Sequence, residues 1–235
     1  MFYGNTFMGI DIWYLVLVLP AFVIALIAQA KVKSTFNKFN QYRTMSGLTG
    51  AQAARRVLDA NGLQFVRVEH IKGELNDHYD PQTNVIRLSD STYNSMSIAA
   101  VGVAAHEAGH ACQYAEEYAP IRFRMALVPV CNLGANLSWP AILLGYLFGM
   151  RPLVFIGIVL FSLSVLFQLV TLPVEFNASS RALAAIDSSG LMNQDELSGA
   201  KKVLSAAAMT YVAALAVSVA NLLRLILIFG RRNRD

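Results

Sequence analysis

The chain has 235 residues, of which 55% are apolar and only 14% charged, against about 25% charged in an ordinary soluble domain. That balance speaks against a single soluble globule and for a small folded domain accompanied by membrane helices. The net charge of +4 is modest, and the placement of its cations suits anionic lipid headgroups rather than the basic, aromatic-interleaved face that a nucleic acid requires.

Ile12 to Ala30 is an apolar run broken only by Pro20 and Gln29, long enough to cross a bilayer as a helix. No Lys or Arg precedes it, whereas Lys31, Lys33, Lys38 and Arg43 follow. This asymmetry predicts an uncleaved anchor over residues 1–30, with its N-terminus outside and the next segment in the cytoplasm. Residues 31–127 then carry the composition of a soluble domain. Thr49 to Asn61 reads as a short helix with Ala51, Ala54, Val57 and Leu58 on one face and Gly62 as its stop. Gln64 to His70 reads as a strand, Gly73 to Pro81 as a polar turn, and Asn84 to Ser89 as a second strand. A helix is expected from Ser97 to Tyr118, ended by Pro120.

The apolar pattern returns over 128–172. Val128 to Met150 and Leu153 to Leu172 flank the Arg151-Pro152 pair and predict a transmembrane hairpin. Residues 173–202 read as a helix and then a loop around Gly190, and residues 203–235 as a last apolar helix with a basic tail. Arg224 inside that helix and Arg231, Arg232 and Arg234 beyond it oppose a full crossing on charge grounds. A helix packed along the others, with its C-terminus inside, is the alternative. The two cysteines, Cys112 and Cys131, form neither a disulfide framework nor a metal knuckle and read as small buried hydrophobes.

The chemistry concentrates at His106-Glu107-Ala108-Gly109-His110. Histidines four apart on a helix project from one face within reach of a single ion, and the glutamate between them can address a water held there. The surrounding Ile98 to Gly109 stretch is small and apolar, so three polar side chains buried in it would be costly without a partner. A catalytic zinc needs a third protein ligand. Gln113 and Glu116 stand where a glycine and a third histidine would extend the pattern. Glu116 and Glu117, and also Asp187, are weak ligand candidates, since a continuing helix turns Glu116 away from the two histidines. Glu175 is better placed, just after the hairpin and on the same predicted side. It either supplies the third ligand or complements the dipole at a helix start.

These residues carry a resemblance. Asp77-His78-Tyr79-Asp80-Pro81, Ile86-Arg87-Leu88-Ser89, the run Ala104 to Gln113, and Pro173 to Ser179 occur in order, and together they resemble the YugP-like neutral zinc metallopeptidases of bacterial membranes. The resemblance implies a mainly α integral membrane protein with a zincin-like catalytic domain and a small β element between transmembrane helices. It implies a gluzincin-type core related to the HtpX and CaaX-protease group, with one Zn2+ held by His106, His110 and Glu175 and with Glu107 as the base. Ser179 departs from the wider group, which has aspartate there. A contact from position 179 to a ligand histidine would then come from a hydroxyl. Asn177, Ser179 and Arg181 are further candidates beside the ligands, Arg181 as a partner of Glu175 or of a substrate carboxylate, or else as an ordinary surface arginine.

His78 or Tyr79 is a candidate donor to the oxyanion, against a plain turn before Pro81. Asn84 to Ser89 is either an edge strand for an extended substrate or an ordinary structural strand. The implied activity is hydrolysis of peptide bonds, in peptides or membrane-protein segments, near the cytoplasmic membrane surface of a multi-pass protein in the bacterial cell membrane. The alternative is a zinc-binding membrane scaffold without proteolysis, and a transporter is a more distant rival prompted by Asn132, Asn136, Asn221 and Arg224. Neither a nucleic acid nor a nucleotide is expected as a partner: no G-x-x-x-x-G-K-[ST] run occurs.

Overall fold

The structure is a computed structural model that describes residues 6–7 and 10–230. The arginines at 231, 232 and 234 lie outside the described residues. Two compact units are distinguished, one of residues 1–28, 123–172 and 210–235, the other of 29–122 and 173–209.

The first unit opens with a two-stranded antiparallel ribbon, β1 (Thr6–Phe7) and β2 (Ile10–Asp11). A π-helical turn over Tyr14–Val18 leads into α1 (Leu19–Phe39). The helix runs nine residues beyond the predicted end at Ala30, so Lys31, Lys33 and Lys38 ride on it. Its last turns are held by packing: Phe36 is 3% exposed and clusters with Ala99 and Val203.

In the second unit, α2 (Gly50–Ala60) forms where predicted. Its amphipathic face buries Ala53, Ala54, Val57 and Leu58. Thr49 and Gln52 close a reciprocal capping box at its start, and Gly62, at φ +72°, makes the left-handed turn after it. Three strands follow, β3 (Arg67–His70), β4 (His78–Asp80) and β5 (Val85–Leu88). They pair in the order β3-β5-β4, with β3 parallel and β4 antiparallel to β5.

One expectation changes here, and one open choice is decided. The stretch read as a polar turn contains β4, whose three residues are too few and too polar for a period-two signal. The Asn84 to Ser89 strand is central rather than an edge, since both its sides are paired. Its burial agrees with that position: Val85, Ile86 and Leu88 are all 0% exposed.

Helix α3 (Ile98–Ala115) starts at a Ser97 cap whose hydroxyl accepts from the Ala100 amide. It ends at Glu116 rather than at Tyr118, with Glu117 at φ +52°. Pro120 therefore opens the next helix, α4 (Ala119–Leu147), instead of closing this one. Proline lacks an N–H and fits a first turn, where that donor has no intrahelical partner.

Helix α5 (Arg151–Ser188) likewise contains Arg151 and Pro152 in its first turn; the reversal lies just before it, with Gly149 at φ +67°. The two helices approach closely at glycines: a Cβ on Gly145 would lie 2.7 Å from the Val154 nitrogen, and one on Gly157 2.6 Å from Ile142 Cγ1. Helix α5 passes straight through Pro173. An internal proline removes one hydrogen bond, but Val174, Ala178, Ala182 and Ile186 form a fully buried seam at i, i+4 spacing. That packing carries the helix on to Ser188. Helix α6 (Gln194–Gly230) begins with Asn193 and Glu196 capping each other's backbone amides.

Among the described residues, four helical segments, Tyr14–Phe39, α4, α5 and α6, are long and apolar enough to cross a membrane. The chain is a mainly α membrane protein with a small three-stranded sheet. In the first unit Arg224 does not stand alone: its Nη2 lies 2.6 Å and its Nε 2.9 Å from Asp11 Oδ2, and it sits 5.3 Å from the Tyr14 ring centroid. A cation in an apolar helix is thus neutralised by an acid that the sequence places 213 residues away.

Candidate metal centre

All residues of the candidate centre belong to the second unit. Helix α3 presents His106 and His110 one turn apart, their ring centroids 4.7 Å apart and nearly perpendicular. Helix α5 brings Glu175 to them, its Oε2 lying 3.4 Å from His106 Nε2 and 3.6 Å from His110 Nε2. The three donor atoms all lie within 4.8 Å of one another. Glu175 sits deep inside a 38-residue helix, so the helix-start reading of this acid is overturned: no free N–H groups are there for it to complement.

The close approach of the two helices rests on small residues. Gly109 has no room for a side chain, because a Cβ there would meet the Ala178 carbonyl oxygen at 2.7 Å. Larger residues at these two positions would push Glu175 away from the histidines.

The set fits a zinc ion on its own dimensions. Ligand bonds of about 2.0–2.1 Å at tetrahedral angles give donor-to-donor edges of about 3.3 Å. The 3.4 and 3.6 Å separations match such edges better than they match hydrogen bonds. The ring nitrogens facing away are already occupied: His106 Nδ1 meets Ser179 Oγ at 3.1 Å and His110 Nδ1 meets Gln113 Oε1 at 3.0 Å. Both Nε2 atoms are therefore the ones turned to the carboxylate. Burial by itself depresses the His110 imidazole, yet the Glu175 carboxylate and the nearby Glu107 charge outweigh burial and hold its pKa above the ordinary value. Such a site favours positive charge at its centre. Glu107, 7% exposed, is the next residue along the helix from His106.

Other sequence candidates lie in different contacts. Arg181 does not pair with Glu175: its Nη1 and Nη2 donate to Glu116 Oε1 and Oε2, each at 2.7 Å. That fork also commits Glu116 elsewhere and holds its pKa below the ordinary value. Glu117 pairs with Arg122, and Asp187 is exposed and accepts from Gln194. The Tyr79 hydroxyl donates to Asn84 Oδ1 at 2.9 Å, while its ring packs edge-on against Tyr114 of α3. His78 is exposed on β4, and its Nδ1 lies 2.9 Å from the Asn76 carbonyl oxygen. Cys112 and Cys131 are both free and buried.

One residue escaped the sequence reading. Gln113 enters the sequence reading as a break in a longer histidine pattern and as the end of a resemblance run, with no role of its own, yet it is 0% exposed and bridges the two helices. Its Nε2 donates to the Val174 carbonyl at 2.8 Å and to Asn177 Oδ1 at 2.9 Å. Its position three residues after His110, on the same helical face, was the available signal.

Comparison with known proteins places the chain in a family. The profile of a family described as "Putative neutral zinc metallopeptidase" matches residues 14–230. A protein of Bacillus subtilis (strain 168) named "Putative membrane protease YugP" is 49% identical over 216 residues, covering 92% of this chain and 96% of that one. No solved structure matches the chain.

Proposed function

The chain belongs to this zinc metallopeptidase family, and from that premise we propose that it is a membrane-embedded endopeptidase of the gluzincin type, holding one Zn2+ with His106, His110 and Glu175. The carrying observation is the convergence of the two Nε2 atoms and one carboxylate oxygen at zinc-ligand spacing, in a nearly buried setting with Glu107 alongside. When bound, zinc supplies Lewis-acid polarisation of the scissile carbonyl and lowers the pKa of a water to about 7.

Glu107 takes a proton from the attacking water as its oxygen bonds to the carbonyl carbon. It then gives that proton to the amine nitrogen as the C–N bond breaks. Burial of Glu107 keeps bulk water from competing for that proton. The roll of positive charge after the first apolar segment, Lys31, Lys33 and Lys38 against none before it, supports a multi-pass arrangement with the catalytic unit on the cytoplasmic side. Peptides and segments of membrane proteins are the substrate class that location favours.

The test combines metal analysis with proteolysis of an unstructured protein substrate by the purified chain in detergent. Glu107→Gln should keep its zinc and lose at least 100-fold in cleavage rate, as expected for removal of a general base. Glu175→Ala should lose the zinc itself. Equal cleavage by wild type and Glu107→Gln overturns the peptidase reading and favours a zinc-holding scaffold. Full zinc in Glu175→Ala overturns the ligand set.

A further inference from the structure

The two histidines of the centre are supported by partners of different character. Ser179 Oγ, beside His106 Nδ1, can either donate or accept, so it imposes no choice on that ring. His110 is different, because its partner stands at the end of a chain of amides whose direction is fixed from the far end.

The chain begins at Arg181, which can only donate. Its Nε lies 2.7 Å from Asn177, so Asn177 must present its carbonyl oxygen there. The same Oδ1 faces Gln113 at 2.9 Å, and the second neighbour of that Gln113 atom is the Val174 carbonyl, which can only accept. Gln113 must therefore direct its NH2 group toward α5. Its Oε1 is left facing His110 Nδ1 at 3.0 Å, where only an N–H can satisfy it. Reversing either amide would set donor against donor or acceptor against acceptor in contacts that are buried at Gln113 and part-buried at Asn177.

We propose that Gln113 is a positioning residue for the centre: with Asn177 and Arg181 it forms a one-way hydrogen-bond relay that fixes His110 as the Nδ1-protonated tautomer, leaving its Nε2 lone pair for the metal. The relay has an outer anchor as well. Glu116 grips the Arg181 guanidinium with both oxygens, and the guanidinium lies 5.9 Å from the Tyr118 ring centroid. Glu116 thus acts on the centre from outside, holding the residue that orients the first amide, rather than as a ligand. Outer partners of this kind typically carry 10–100-fold in metal affinity.

This inference rests on the proposed zinc site, and its test separates the two. Zinc affinity is measured by competition with a chromophoric chelator, and the ring tautomer by long-range 15N–1H spectra of the zinc-loaded, 15N-histidine-labelled protein in detergent micelles. Gln113→Met keeps the side-chain volume and removes the amide. It should bind zinc 10–100-fold more weakly, and the wild-type spectrum should show His110 protonated at Nδ1.

Arg181→Met, at the partly exposed outer end, should weaken binding by a smaller factor while Arg181→Lys, still a pure donor, restores part of the loss. Arg181→Met decides the matter if Gln113→Met does not fold. Wild-type affinity in a folded Gln113→Met or in Arg181→Met overturns the relay, as does a His110 ring protonated at Nε2. Failure of the underlying zinc site looks different: the wild type itself would bind no zinc, or Glu175→Ala would lose none.

Discussion

At the scale of single residues, each histidine of the centre has a partner on its outward-facing nitrogen, and position 179 tests the weaker of the two supports. The departure from aspartate to Ser179 raised the question of whether any contact to a ligand histidine would survive. A hydroxyl does reach His106 Nδ1, at 3.1 Å. It carries no charge, so it stabilises the imidazole less than a carboxylate would. Ser179→Ala should therefore weaken zinc binding only about tenfold, the low end for such contacts, when measured against the same chelator. Loss beyond that range would mean that the hydroxyl supports more than the ring.

At the scale of elements, the contact between α3 and α5 decides whether a centre exists at all. The 2.7 Å that a Gly109 Cβ would leave to the Ala178 carbonyl is far inside van der Waals distance, and backbone on the facing side cannot swing aside. Gly109→Ala should cost about 1–3 kcal/mol of stability through overpacking, read from thermal or denaturant unfolding, and should lower zinc occupancy because Glu175 retreats with its helix.

The β4–β5 connection offers a separate test through pH. Asp80 accepts from the Thr83 hydroxyl, from Arg87 Nη1 and from the Gln82 amide. Those bonds hold its carboxyl well below the ordinary value of 3.8. A carboxyl depressed on folding stabilises the protein above its unfolded value, and that contribution fades as pH falls through the folded value. Stability of the wild type should therefore decline below about pH 4, and Asp80→Asn should decline less over the same window in acid-unfolding curves.

At the scale of the whole molecule, side chains far apart in the sequence become partners. Asp11 and Arg224 neutralise each other between the first and last segments. Arg224→Met alone leaves an unpaired acid against apolar surroundings and should lower the half-life of the detergent-solubilised protein at elevated temperature. Asp11→Leu combined with Arg224→Met should recover most of that loss, since removing both charges removes the desolvation cost as well. If the double variant is as labile as the single one, the pair serves more than charge balance.

Much of this was legible from residues in order. The spacing of His106, Glu107 and His110 is a local property of a helix, and so is the Thr49 capping box; both need only the 3.6-residue turn to be deduced. Apolar length likewise announces a membrane helix without any partner. Helix ends were less legible. Pro173 looked like a boundary, and only the buried seam from Val174 to Ile186 on its far side explains why α5 continues. Strand β4 escaped because three polar residues carry no periodic signal; pairing with β5 makes it a strand.

The sequence by itself therefore determined the family, the membrane character and the two-histidine helix, because each depends on residues close together in the chain or on bulk hydrophobicity. Only the tertiary structure decided which donor groups meet. It seats Glu175 against two histidines at least 65 residues earlier, turns Arg181 to Glu116, sets Gln113 between His110 and the Val174 carbonyl, and pairs Arg224 with Asp11. The physical reason is that a polar side chain entering a low-dielectric interior must find its partner there, and which partner it finds is fixed by the packing of helices, not by distance along the chain.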